Sequence, residues 1–155
     1  LFPIVGLPTD KLHREMPAHL PNYVHIVIDS PPQVSGVTRS IILAADLIVI
    51  PVQPSPHDIW SAADIVRLVE EAGGFKETLQ AVFVVNRKIA QTALGRDVFT
   101  ALANYPFPVL PTAIGQRVAF AESAALGCSV LETAPTSPAA QEIRALTHDL
   151  LEQRS

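Results

Sequence analysis

Apolar runs alternate with helical patterns from one end of the sequence to the other. Residues 3–7 form a short strand pattern. Residues 9–16 read as a helix, with Thr9 as cap, Leu12 and Met16 four apart, and Pro17 to close it. Val24-His25-Ile26-Val27-Ile28 reads as a strand that ends at Asp29. Residues 35–45 put Val37, Ile41 and Ala44 on one helical face. Leu47 to Val52 is nearly continuous in apolar residues, as expected of a strand covered on both faces.

The second half continues the alternation. Ser55 can cap a helix, Pro56 suits its first position, and Asp58 stands where a capping box has its acid. Ile59, Ala62, Ala63, Val66 and Val69 then share a face, and Gly73-Gly74 stop the helix. Ala81 to Val85 is a buried-strand pattern ending at Asn86. Residues 94–104 read as helix, Phe107 to Leu110 as a short strand between prolines, and 116–126 as a helix that stops at Gly127. A last helix starts at Ser137-Pro138 and turns Ile143, Leu146 and Leu150 inward.

Strand and helix in alternation predict an α/β fold: a mostly parallel sheet with helices on both faces. With 155 residues, one such domain over 1–155 is expected. Ligands of such sheets bind outside the carboxyl ends of the strands. This directs attention to Asp29 through Pro32, Pro51 to Asp58, Asn86-Arg87, and Pro111 to Arg117.

Composition changes this picture little. Hydrophobic residues make up 48% of the chain, which argues against disorder throughout. The 14 prolines cluster at strand ends and helix starts, where they punctuate the elements. A net charge of −4 supplies no global field for nucleic acid. No apolar run has the roughly 18 residues of a membrane span. The single cysteine, Cys128, excludes an internal disulfide framework and a multi-cysteine metal site, and a cytoplasmic home fits that usage. Cys128 itself reads as a small buried filler. The chain opens on Leu1-Phe2-Pro3-Ile4-Val5 without Met or a signal-peptide pattern, which suggests that a preceding piece is missing.

Each strand end allows two readings. Asp29 follows four apolar residues and precedes Ser30-Pro31-Pro32; it is a metal-serving carboxylate or the cap of a turn before Ser35. Asn86 offers an acceptor and donors in one planar amide that can pair with a base edge, and Arg87 can stack on a base or reach a phosphate. The alternative is a turn Asn followed by a solvated Arg87-Lys88 pair. The Pro51–Asp58 loop shapes a pocket or subunit contact, or simply starts a helix. Gln116-Arg117 meets a ligand or partner, or is an exposed first turn. His13, His19 and His25 are spaced for no metal site.

Taken in order, these stretches resemble the ParA family of partition ATPases, the deviant-Walker branch of P-loop proteins that includes MinD. YVHIVIDSPP (23–32) resembles the Walker B strand and switch. RSIILAADLIVIPVQPSPHD (39–58) resembles the helix, strand and proline-rich loop of small ParF-like members. VVNRK (84–88) resembles the base-binding strand end, and IGQRVAF (114–120) with GCSVLE (127–132) the C-terminal segment.

The resemblance implies ATP and Mg²⁺ as cofactors. It implies that Asp29 acts on Mg²⁺ through water as the catalytic carboxylate. Ser30, Pro31 and Pro32 would lie in the γ-phosphate switch, and Asn86 would contact adenine with Arg87 beside it. It also implies an ATP-dependent homodimer near Pro51–Pro56, a ParB-like stimulating partner, and non-specific DNA binding. DNA binding is poorly supported by a last helix that sets Glu142, Asp149 and Glu152 against Arg144 and Arg154. The family's phosphate loop, a Gly-rich motif with lysine, has no counterpart between Leu1 and Tyr23, so the first βα unit is expected to be missing. These residues alone are therefore expected to bind ATP weakly and not to hydrolyse it. The alternative is a non-catalytic interaction or dimerisation module of ParA descent. A biosynthetic ligase or amidotransferase of the same fold suits Gln53-Pro54-Ser55-Pro56 and Val118-Ala119-Phe120 less well.

Overall fold

The two apolar runs in the middle of the chain become neighbouring strands, β1 (Leu47–Val52) and β2 (Gln80–Val85). The structure is a computed structural model that describes residues 2–7, 9–31 and 35–153. Gln80 N donates to Asp46 O and Asn86 N to Val52 O, both at 2.9 Å. The sequence offset is the same at both ends, so the strands run parallel. A parallel pair needs a crossover, and α3 (Pro56–Gly73) supplies it. On the other edge of β2, residues 108–115 join through the parallel bridges Phe83↔Val109 and Lys88↔Gly115. The architecture is thus α/β with a parallel sheet, as the alternation predicts.

β2 is central, and Ala81 to Val85 are all buried. Among the described residues β1 is an outer strand. Ile50 and Val52 are buried, but Val49 is 40% exposed. The expectation that β1 is covered on both faces is therefore corrected, because a continuous apolar run does not by itself supply a second covering layer.

The start of α3 follows its sequence signal. Ser55 Oγ accepts from Asp58 N at 3.2 Å and donates to Asp58 Oδ2 at 2.6 Å. Ala62, Val66, Leu68, Val69 and Ala72 are buried along the helix, whereas Ala63 is exposed and does not belong to the inward face. Ser55→Ala is expected to lower stability by about 1 kcal/mol through the lost cap. Urea denaturation checks this, and an unchanged midpoint contradicts it.

The chain divides into two compact units. The first comprises Leu1–Ile48 and Asp64–Gln80. In it, α1 (Leu12–Glu15) is shorter than the predicted helix and runs on into 3-10 turns at Met16–Ala18 and Leu20–Asn22. Thr9 does not cap α1; its Oγ1 accepts from Lys11 N in the turn before it. α2 (Gly36–Ala44) is capped by Ser35, whose Oγ accepts from Thr38 N. Leu12, Met16 and Ile41 form the core, with Leu7, Ile28, Val37 and Ala44 packed on it. His13 has a structural role, since its backbone N and Nδ1 both meet Ser40 Oγ, at 3.1 and 2.8 Å.

Two expected strands do not form in this unit. Neither residues 3–7 nor Val24–Ile28 carry strand structure. Ile28 packs on the core, but Val24 is 87% and Val27 95% exposed. A strand exists through its ladder partners, and among the described residues no strand pairs with this segment. Its apolar pattern is strand-like without the neighbour that would realise it.

The second unit comprises Val49–Ala63 and Ala81–Ser155. It holds α4 (Ala93–Leu102), α5 (Val118–Ala125), α6 (Val130–Thr133) and α7 (Pro138–Glu152). Thr92 caps α4 and Ser137 caps α7. Gly127, at φ +66, ends the α5 region in the left-handed conformation that glycine adopts without strain. The predicted strand at 107–110 is reduced to a bridge. Cys128 is exposed, not buried: it lies in the turn after Gly127, with Sγ 3.6 Å from Leu126 O.

Candidate functional site

The second unit gathers three of the four strand-end segments. Asn86 continues β2, is half-buried, and is pinned to β1 by its N–H on Val52 O. Its Oδ1 accepts from Arg87 N at 2.9 Å, so the side chain folds over its own turn. Arg87 is exposed and left-handed, with φ 53. That conformation costs an ordinary L-residue about 1–2 kcal/mol, and such strain concentrates at functional sites. Lys88 is fixed at its backbone: its N–H donates to Ile114 O at 2.9 Å, and its C=O accepts from Gln116 N at 3.0 Å. Its ammonium lies 5.0 Å above the Phe99 ring. A half-buried amide and an exposed guanidinium on one held turn can meet the edge and face of a planar base.

The 114–117 segment is tied from behind. Glu142 on α7 accepts from Arg117 Nε at 3.0 Å and Arg117 Nη2 at 2.5 Å, and from Gly115 N at 3.1 Å. Hydrogen bonding from Arg117 holds the Glu142 carboxyl below the ordinary glutamate value, and Glu142 in turn raises the guanidinium. A depressed carboxylate pKa stabilises the fold above the unfolded value near 4.5 and loses that contribution as pH falls through the folded value. Wild-type stability is therefore expected to fall more steeply below about pH 4.5 than that of Glu142→Gln. Urea midpoints across pH 2.5–7, on the order of one unit apart, check this; parallel curves contradict it.

The proline-rich loop borders an open apolar groove of about 270 Å³. Pro54, Pro56, Ile59 and Trp60 line one side, and Leu94 and Val98 the other. Trp60 is 66% exposed and meets His57 edge to face at 5.6 Å.

A family profile described as cellulose biosynthesis protein BcsQ matches residues 8–151. The chain belongs to this ParA-type family. It is 29% identical over 133 residues to maintenance of carboxysome distribution protein A of Halothiobacillus neapolitanus, covering 84% of this chain and 62% of that one. It is 29% identical over 132 residues to the chromosome-partitioning ATPase Soj of Thermus thermophilus, covering 83% and 53%. Against the cell division protein PomZ of Myxococcus xanthus it is 30% identical over 156 residues, covering 97% and 48%. The chain thus spans roughly half to three-fifths of the length of these relatives.

In this ParA-type chain the remaining predicted residues lie in the first unit. Asp29 is exposed, and so are Ser30 and Pro31; Ser30 Oγ donates to Pro31 O at 3.3 Å. Pro32 lies outside the described residues. The cap of α2 is Ser35. An accessible carboxylate beside a hydroxyl is the hard-oxygen donor set that Mg²⁺ takes, usually with retained waters. The amide and guanidinium of the second unit suit a nucleotide base.

Another trio, His148, Asp149 and Glu152, has ligand atoms within 4.8 Å of one another. Its members already have partners: His148 meets Glu152 at 3.6 Å, and Asp149 accepts from Thr112 N at 3.2 Å. The sequence reading missed Glu142 as a partner of Arg117, because the two stand 25 residues apart. The hint was an acid on the first turns of a helix that follows a lone arginine. Among the described residues no helix is long and apolar enough to cross a membrane.

Proposed function

We propose that this chain is the greater part of a ParA-like ATPase domain that positions a cellular cargo, and that it holds the base end of ATP at Asn86-Arg87. The left-handed Arg87 behind the pinned Asn86 carries this reading, because strain of that kind persists only where the surroundings impose it. The relatives' names support the class of function: one distributes carboxysomes, one partitions chromosomes, one serves cell division. In this reading Asp29 serves Mg²⁺ through water, and Ser30 to Pro32 respond to the γ-phosphate. The whole protein dimerises on ATP in the cytoplasm and answers to a ParB-like partner.

The glycine-and-lysine loop that grips phosphates is not part of this sequence. We accordingly expect no phosphate release by these 155 residues with ATP and Mg²⁺, and no nucleotide-dependent dimer in sedimentation. Turnover that Asp29→Ala abolishes would overturn this expectation. The exposed Trp60 beside Pro54 and Pro56 favours a second reading, a non-catalytic interaction module. A dimer that forms without nucleotide and is lost in Trp60→Ala supports that one.

A further inference from the structure

The Asn86–Lys88 turn is strained, and its own side chains restrain it only locally: the Lys88 ammonium lies over the Phe99 ring. Asn86 Oδ1 bonds only the next backbone N–H of the turn, and Arg87 is exposed. From outside, β1 holds the start of the turn through Asn86 N–H on Val52 O, and the 114–116 backbone holds its end, receiving Lys88 N–H on Ile114 O and donating Gln116 N–H to Lys88 O. That strip holds one isolated bridge, Lys88↔Gly115, extended by Ile114 N–H on Val85 O at 2.9 Å, without a regular ladder. Three hydrogen bonds at the rim of a sheet do not by themselves resist fraying.

Glu142 supplies the missing constraint. Its Oε2 accepts from both Gly115 N, at 3.1 Å, and Arg117 Nε, at 3.0 Å, while Oε1 takes Arg117 Nη2 at 2.5 Å. A fork-to-fork contact of this type fixes direction as well as distance. The pair also packs closely on Gly115, where a Cβ would stand 3.2 Å from Arg117 Nε and 3.3 Å from Glu142 Oε1. Three groups therefore meet in a space shaped for them: a carboxylate on α7, a guanidinium at the start of α5, and a bare backbone amide between. The segment they clamp is the one that grips Lys88.

We propose that Glu142 is a positioning residue for the Asn86–Lys88 turn. By clamping Gly115 and Arg117 it fixes the strip that holds the Lys88 backbone, and through Lys88 it keeps Arg87 left-handed and the Asn86 amide in place. α7 thereby acts on the base site without touching the base. The ligand side of this proposal rests on the adenine reading above; the mechanical side does not.

Amide hydrogen exchange in the 155-residue chain tests the mechanical side without any ligand. In Glu142→Ala, exchange at Lys88 and Gln116 is expected to accelerate about ten-fold or more, with Val84 at the centre of β2 unchanged. Glu142→Gln keeps an acceptor for Gly115 and is expected to fall between. Unchanged exchange at Lys88 and Gln116 overturns the proposal, and so does equal acceleration at Val84, which marks general destabilisation. If the alanine variant does not fold, Glu142→Gln and Arg117→Lys carry the same comparison, since lysine keeps the charge and loses the fork. A parallel ATP titration reads the ligand side: affinity is expected to drop in Glu142→Ala and recover partly in Glu142→Gln. Wild-type protein that binds no ATP defeats the adenine reading, while the exchange result still decides the positioning role. ATP affinity equal in wild type and Glu142→Ala, with binding present, overturns the link from clamp to base.

Discussion

Phe83→Ala is expected to lower the unfolding free energy by about 3–5 kcal/mol. Phe83 is fully buried at 0% exposure, at the centre of the central strand. Its ring centroid lies 5.6 Å from that of Tyr105 and 6.3 Å from that of Phe107, and the Tyr105 hydroxyl donates to Ile59 O at 2.7 Å. Its backbone exchanges bonds with Pro108 O and Leu110 N at 2.8 and 2.9 Å. Truncation removes the ring around which these elements pack, and backbone so tied cannot close the cavity. The expected loss is a large part of the roughly 5–15 kcal/mol that holds an ordinary domain together. Trp60, the sole tryptophan, lies in the same unit, so its emission reports the loss directly. A lower guanidinium midpoint at unchanged slope is the expected result; a loss below about 1 kcal/mol contradicts the packing described.

Gly95→Ala is expected to destabilise, against the usual trend. In a helix interior alanine is ordinarily better than glycine by about 0.5–1 kcal/mol. Gly95, however, is buried in the first turn of α4, and a Cβ there would come within 2.9 Å of both Ile89 O and Thr92 Oγ1. One of these is backbone, and the other is the capping oxygen that accepts from Gly95 N at 3.1 Å. Neither can yield without breaking the turn that follows Lys88. Overpacking of this kind typically costs about 1–3 kcal/mol, so the clash outweighs the propensity gain. Thermal or urea unfolding decides the sign, and a stabilised variant would contradict the close approach.

Both variants bear on what the sequence makes legible. The helix starts at Ser55, Thr92 and Ser137 have local causes, since a hydroxyl oxygen reaches a backbone N–H three residues on. Thr92 alone escaped the pattern reading, because no apolar periodicity begins cleanly at Ala93. β1, β2 and the crossover between them follow from apolar runs alternating with a helical face. The Val24–Ile28 segment shows the limit of that reasoning. Its composition is that of a strand, but strand structure comes from a neighbour, and composition cannot say whether one is present. Val27, 95% exposed, is the result.

The candidate site divides in the same way. Asn86-Arg87 is visible because it ends a buried run, where parallel sheets place their ligands. The left-handed Arg87 is not visible, since nothing in the residue type requires it. The Glu142 clamp is equally hidden: it is made by tertiary proximity between residues with no common local pattern. Asp29 is readable as a strand-end carboxylate from its flanking residues, although the strand itself does not form. Cys128 misleads for the opposite reason. Free cysteines are often buried, but this one sits in the turn imposed by Gly127.

The central claim is that Asn86 and Arg87 hold the base of an adenine nucleotide. The side-chain amide resonance of Asn86, followed by NMR during titration with ATP, tests it most directly. The account predicts a saturable shift of that resonance with a dissociation constant of about 1 mM, equivalent to roughly −4 kcal/mol. It also predicts no comparable shift with GTP, whose base presents a different donor and acceptor edge. An Asn86 amide that stays still at saturating ATP, or that shifts equally with GTP, would contradict it.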